Sequence, residues 1–89
     1  MKMKTENNAE HYYQRGVDYR RRKHADYKRS ILNLTRALEA GLRTPECYWE
    51  RGVAYLHSGN PAQALPDFNY VIKMLPDDRF RNSLYPKIA

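Results

Sequence analysis

The sequence predicts an all-α fold: four main helices in two tandem helix–turn–helix units, with a short fifth helix at the C-terminus. Three observations carry this. The chain repeats itself, apolar residues in each unit recur at steps of three and four, and no stretch alternates with period two for long enough to propose a strand. A 36-residue shift lays Glu10 on Glu46, Tyr12 on Tyr48, Tyr13 on Trp49, Arg15 on Arg51, Gly16 on Gly52, Val17 on Val53 and Tyr19 on Tyr55. Further along the register is 34, and Ser30, Ile31, Leu34, Ala37 and Leu38 meet Ala64, Leu65, Phe68, Val71 and Ile72. The first unit therefore carries two extra residues between Tyr19 and Tyr27, which places the Arg20–Lys23 run in a lengthened turn.

Each element has a local reason. Residues 1–8 read as a flexible N-terminus, 9–44 as the first unit, 45–78 as the second, and 79–89 as a capping helix and tail. The first helix is expected from about Ala9 to Arg22. The second, from Tyr27 to Ala40, is capped by Asp26 and ends at Gly41. The third opens with Thr44 as N-cap, Pro45 in the first turn and Glu46 at the positive end of the dipole, and stops at Gly59. Asn60 and Gln63 have capping-box spacing for a fourth helix, whose apolar face is Leu65, Phe68, Val71, Ile72 and Leu75 and which Pro76 ends. Pro66 lies inside that helix, where a bend rather than a break is expected because the apolar spacing continues past it. Asp78 would cap the fifth helix, in which Phe80 and Leu84 would cover the second unit before Pro86.

The pattern resembles the tetratricopeptide repeat, a helix–turn–helix of about 34 residues with the signature W-x2-L-G-x2-Y…A-x3-F…P. The second unit supplies Tyr48, Arg51, Gly52, Tyr55, Ala64, Phe68 and Pro76 at matching spacings, with Tyr in place of Trp and Arg in place of Leu. The first supplies Tyr12, Arg15, Gly16 and Tyr19, then Ser30 and Leu34 after the insertion. The resemblance covers residues 9–76 and implies a right-handed solenoid fragment. Without the family name, Gly16 and Gly52 still read as notches that admit the second helix of each pair, facing the small residues Ser30 and Ala64.

Composition bounds the function. The net charge of +6 lies wholly in residues 1–44, which hold 11 Lys/Arg against 5 Asp/Glu, whereas residues 45–89 hold 5 of each. No apolar run approaches the length of about 20 residues that a membrane span needs, and the basic start leads into no secretory signal. A single cysteine excludes an internal disulfide framework and fits a reducing, cytoplasmic setting. There is no HExxH, no phosphate-binding glycine loop, no CxxC pair and no GxSxG, and His11, His24 and His57 are scattered. Neither enzymatic activity, a metal nor any cofactor is expected. Cys47 reads as an inert thiol, and Glu46 with Glu50 as a solvated pair.

The better candidate site is a groove. In proteins similar to this family, the first helices of successive repeats line a concave surface that receives a peptide. The resemblance assigns Tyr13, Val17, Arg20 and Arg21 to one wall, and Trp49, Val53 and Leu56 to the other. Aromatic anchors with arginine at the rim have the composition of a binding hot spot. The Lys/Asn/Arg clamp of chaperone-tail adaptors is missing from this surface, so the expected ligand is an apolar or amphipathic segment with acidic flanks. Two readings compete: a self-associating structural unit, and nucleic-acid binding through Arg20–Lys23 with Lys28, Arg29 and Tyr27. Nucleic acid is disfavoured, because four basic residues in a turn more often form a solvated loop.

Overall fold

The structure, a computed structural model, describes residues 2–77, with side chains from Asn8 onward. Asp78, Phe80, Leu84 and Pro86, and with them the expected capping helix, lie outside the described residues. Four helices follow one another among the described residues: α1 (Lys2–Arg21), α2 (Tyr27–Glu39), α3 (Pro45–His57) and α4 (Pro61–Met74). No strand occurs among them. The helices pack as two hairpins, α1 on α2 and α3 on α4, joined through α2 and α3 with a lighter contact between α1 and α3. The fold is all-α, as expected.

The ends of the helices follow from their caps. Asp26 Oδ1 accepts from the Arg29 amide at 3.0 Å, and Thr44 Oγ1 accepts from the Cys47 amide at 3.2 Å. Gly41 and Gly59 supply the left-handed residue after α2 and α3, at φ +105° and +86°. Asn60 departs from expectation. It stands at the N-cap of α4, but its amide turns back to donate to Ser58 Oγ at 3.1 Å and makes no cap bond. α1 begins at Lys2, well before Ala9, since Lys, Met and Glu sustain a helix and no Gly or Pro lies between Lys2 and Ala9. It also runs through Arg20 and Arg21, so half of the basic run is helical and not in the turn. α4 passes through Pro66 unbroken.

The glycine notches exist, but their occupants are large. A Cβ on Gly16 would lie 2.6 Å from Leu34 Cγ, and one on Gly52 would lie 2.7 Å from the Phe68 ring. The bulky residue one turn further sits over each glycine, because a missing Cβ leaves room for it. Ser30 does face Gly16 as expected, its carbonyl oxygen 3.1 Å from the Cβ position, whereas at Gly52 the three nearest atoms all belong to Phe68 and not to Ala64. Ser30 secures the first notch from the side, donating its hydroxyl to the Gly16 carbonyl at 2.7 Å. Leu34, Ala37 and Leu38 of α2, Cys47 and Tyr48 of α3 and Val71 of α4 form a continuous core across both hairpins. The predicted apolar face of α4 is split. Val71 is buried and Phe68 half-buried, whereas Leu65 and Ile72 are exposed.

Candidate interaction surface

The residues expected to line the groove lie on α1 and α3. Steps of three and four put Tyr13, Val17 and Arg20 on one stripe of α1, and Trp49, Val53 and Leu56 on one stripe of α3. Tyr13, Val17 and Trp49 are half-buried and Leu56 is exposed. Val53 is only 2% exposed, so it belongs to the packing beneath the surface and offers nothing to a ligand. Trp49 rests on Phe68 of its own hairpin, ring centroids 5.4 Å apart, which makes the indole part of the α3–α4 packing as well as of the stripe.

Charge at this surface is arranged differently from the expectation. Glu50 is not solvated. It is buried, and its Oε1 accepts from Arg20 Nε at 2.6 Å, while Arg21 lies 3.7 Å from its other oxygen. The physical reason is that α1 and α3 meet here, and a carboxylate enclosed between helices needs a cation within reach. Arg20 is thereby committed to holding α1 on α3, whereas Arg21 keeps a side chain that is two-thirds exposed. Arg22 pairs with Asp18 at 2.8 Å, so the Arg20–Lys23 run is not a free cationic loop.

Nearer the N-terminal end of α1, Tyr13 borders a recess of about 220 Å³ with Glu10, Leu42, Thr44 and Glu46. Burial, then the nearby Glu50, pushes the Tyr13 phenol up to about 12, so it is a neutral hydroxyl that can donate or accept. Cys47 is fully buried, and its thiol donates weakly to the Leu34 carbonyl at 3.8 Å. Desolvation raises its pKa from 9.0 to about 12, the reverse of a helix-activated nucleophile.

Sequence reasoning missed one feature of consequence. Arg51, in the place of the signature Leu, donates to both oxygens of Asp67 at 2.8 and 2.7 Å and to Thr35 Oγ1 at 3.2 Å. This one side chain ties α3 to α4 and to α2. The hydrogen bonds to Asp67 are also the main reason the guanidinium pKa is raised. The signal was an arginine recurring at positions 15 and 51 where the signature has an apolar residue.

Among the described residues, no group of three or more His, Cys, Asp or Glu converges to hold a metal ion, and no helix is long and apolar enough to cross a membrane. No family model, curated protein or solved structure matches this chain.

Proposed function

We propose that the chain is a non-catalytic, tetratricopeptide-like module for protein–protein interaction, taking an apolar peptide or helical segment on its α1–α3 face. One observation carries the reading. Three half-buried apolar or aromatic side chains, Tyr13, Val17 and Trp49, and the exposed Leu56 lie on the same two helices as an ion pair that is already satisfied, Arg20 with Glu50. Such a surface offers apolar area without unpaired buried charge, the condition for docking at low desolvation cost. Arg21 supplies a positive rim for an acidic flank of the ligand.

The test places a photo-crosslinking residue at Leu56, and in parallel at Leu65, in the otherwise native chain. A discrete adduct formed from Leu56, absent from Leu65 and lost in Val17→Asp, is the expected result. Equal adducts from both positions would sink the groove. Val17 and Leu56 serve here in preference to Trp49, whose replacement would also strip support from Phe68.

A second reading, self-association through the outer surface of α4, is favoured by the exposure of Leu65 and Ile72, seven residues apart on one face of that helix. A water-facing apolar stripe of this kind normally finds cover.

A further inference from the structure

The two hairpins share one internal design, and only the second has a further described helix, α2, beside it. In the second, Tyr48 stacks on Tyr70 with centroids 4.6 Å apart, and the Arg51 guanidinium stands 5.8 Å from the Tyr55 ring centre. Across this flank lies α2: its Thr35 accepts from Arg51, and its Leu38 shares the same cleft with Tyr48 and Tyr70. The equivalent positions in the first hairpin repeat the geometry. Arg36, in the place of Tyr70, stands 5.8 Å over Tyr12, and Arg15 stands 6.0 Å from the Tyr19 ring. There no described helix lies across the flank, which is a cleft of about 330 Å³ lined by Tyr12, Arg15, Tyr19, Arg29, Asn33 and Arg36 among others, similar in size to the cleft of about 370 Å³ that α2 borders at the second hairpin.

One exchange sets its chemistry. Asp67, which neutralises Arg51, is replaced by Asn33, whose amide donates instead to the Arg29 carbonyl at 2.9 Å. Arg15 reaches only the Tyr19 hydroxyl, at 3.4 Å, and among the described residues neither Arg15 nor Arg36 has a carboxylate within 4.0 Å. We propose that this flank docks an acidic amphipathic helix of a partner protein, lying across it as α2 lies across the second hairpin. Carboxylates of that helix take the place of Asp67, meeting Arg15 and Arg36, and an apolar side chain covers Tyr12.

Charge complementarity selects this occupant over two others. A second copy would present α4, where Asn69, Ile72 and Lys73 stand in the places of Thr35, Leu38 and Glu39, bringing a lysine and no carboxylate to an arginine cleft. A single-stranded nucleic acid needs bare rings to stack on, and here guanidiniums already lie over Tyr12 and, with Arg22 at 4.2 Å, over Tyr19. The inference stands apart from the α1–α3 groove.

The experiment titrates the isotope-labelled full chain with a synthetic peptide, the Tyr27–Glu39 sequence carrying K28E, R29E, T35E and R36E. Saturable shifts at Tyr12, Arg15, Asn33 and Arg36 are expected. The dissociation constant should rise about tenfold or more in full-length R15Q/R36Q, in R15E/R36E, and for a peptide with Gln at the same four positions, the order expected for losing two partly screened ion pairs. Circular dichroism checks that the variants fold, and the two variants differ in charge repulsion, so agreement between them isolates the lost pairs. The proposal is overturned by any of several results: no saturable binding, equal binding of the Gln peptide, unchanged affinity in both variants, or shifts centred on Val17 and Leu56. The same shifts from a single-stranded oligonucleotide or from unlabelled chain would overturn it as well.

Discussion

The distance between α3 and α4 is set by one absent methyl group. Because a Cβ at Gly52 would enter the Phe68 ring at 2.7 Å, Gly52→Ala forces the ring or the helix to move, and overpacking of this kind costs about 1–3 kcal/mol. Urea denaturation should show that loss, and Phe68→Leu in the same chain should recover part of it. Strictly additive costs would mean that the ring is not the obstacle. Cys47 gives a second prediction at this scale. The fold prefers its neutral thiol, with a pKa near 12 against an ordinary 9.0, so the unfolded chain releases this proton first as pH rises. The stabilisation is complete below pH 9 and is lost as pH climbs toward 12, and Tyr13, raised from 10.0 to about 12, acts in the same direction. Denaturant midpoints across that window should fall in the wild type and fall less steeply in Cys47→Ala. A thiol reagent at neutral pH should label Cys47 only as fast as the protein opens.

At the scale of helices, the least replaceable contact is polar. Asp67 is 1% exposed and bonded twice to Arg51, so Asp67→Leu alone strands a half-buried guanidinium, at a cost of about 3–5 kcal/mol. Replacing both partners, as in Arg51→Met with Asp67→Leu, should restore most of the loss. A double variant as unstable as the single one would show that the Thr35 bond to α2 matters more than the pair. α4 contains a second lever, since Pro66 is exposed and denies the helix one hydrogen bond. Pro66→Ala should raise the melting temperature, with about 2 kcal/mol left after the added freedom of the unfolded chain is deducted. The elements themselves were legible because they rest on local chemistry: Asp26 and Thr44 as caps, Gly41 and Gly59 as stops, and a two-residue offset between units. The electrostatics of the site were not. Whether Glu50 faces water or Arg20 depends on how α1 meets α3, and whether Arg51 finds Asp67 depends on the register of α3 on α4. Periodicity gives neither. The same limit explains the notches, where spacing identified the glycines but not which residue of the facing turn would fill them.

Across the described residues, the first hairpin holds the net charge and α4 holds most of the large exposed apolar side chains. Leu65 and Ile72 of α4 occupy the places of Ile31 and Leu38 in α2, the helix that packs against α3, and they remain exposed because no described element follows them. If a second copy covers them, the charges dictate how. Stacking α4 of one copy on the first hairpin of the next would bring Lys73 to the arginine cleft and would propagate without closing. Pairing α4 with α4 about a twofold axis joins like apolar stripes, keeps Lys73 at the edge, and closes at two. Self-association should therefore give a dimer and nothing larger, and salt should not dissociate it, because apolar burial holds it. Sedimentation across a dilution series tests this, with Leu65→Lys/Ile72→Lys expected to give monomer and R15Q/R36Q to leave the dimer intact. Species that grow steadily with concentration and shrink in R15Q/R36Q would instead mean head-to-tail stacking, and would show that Lys73 does not exclude α4 from the first hairpin.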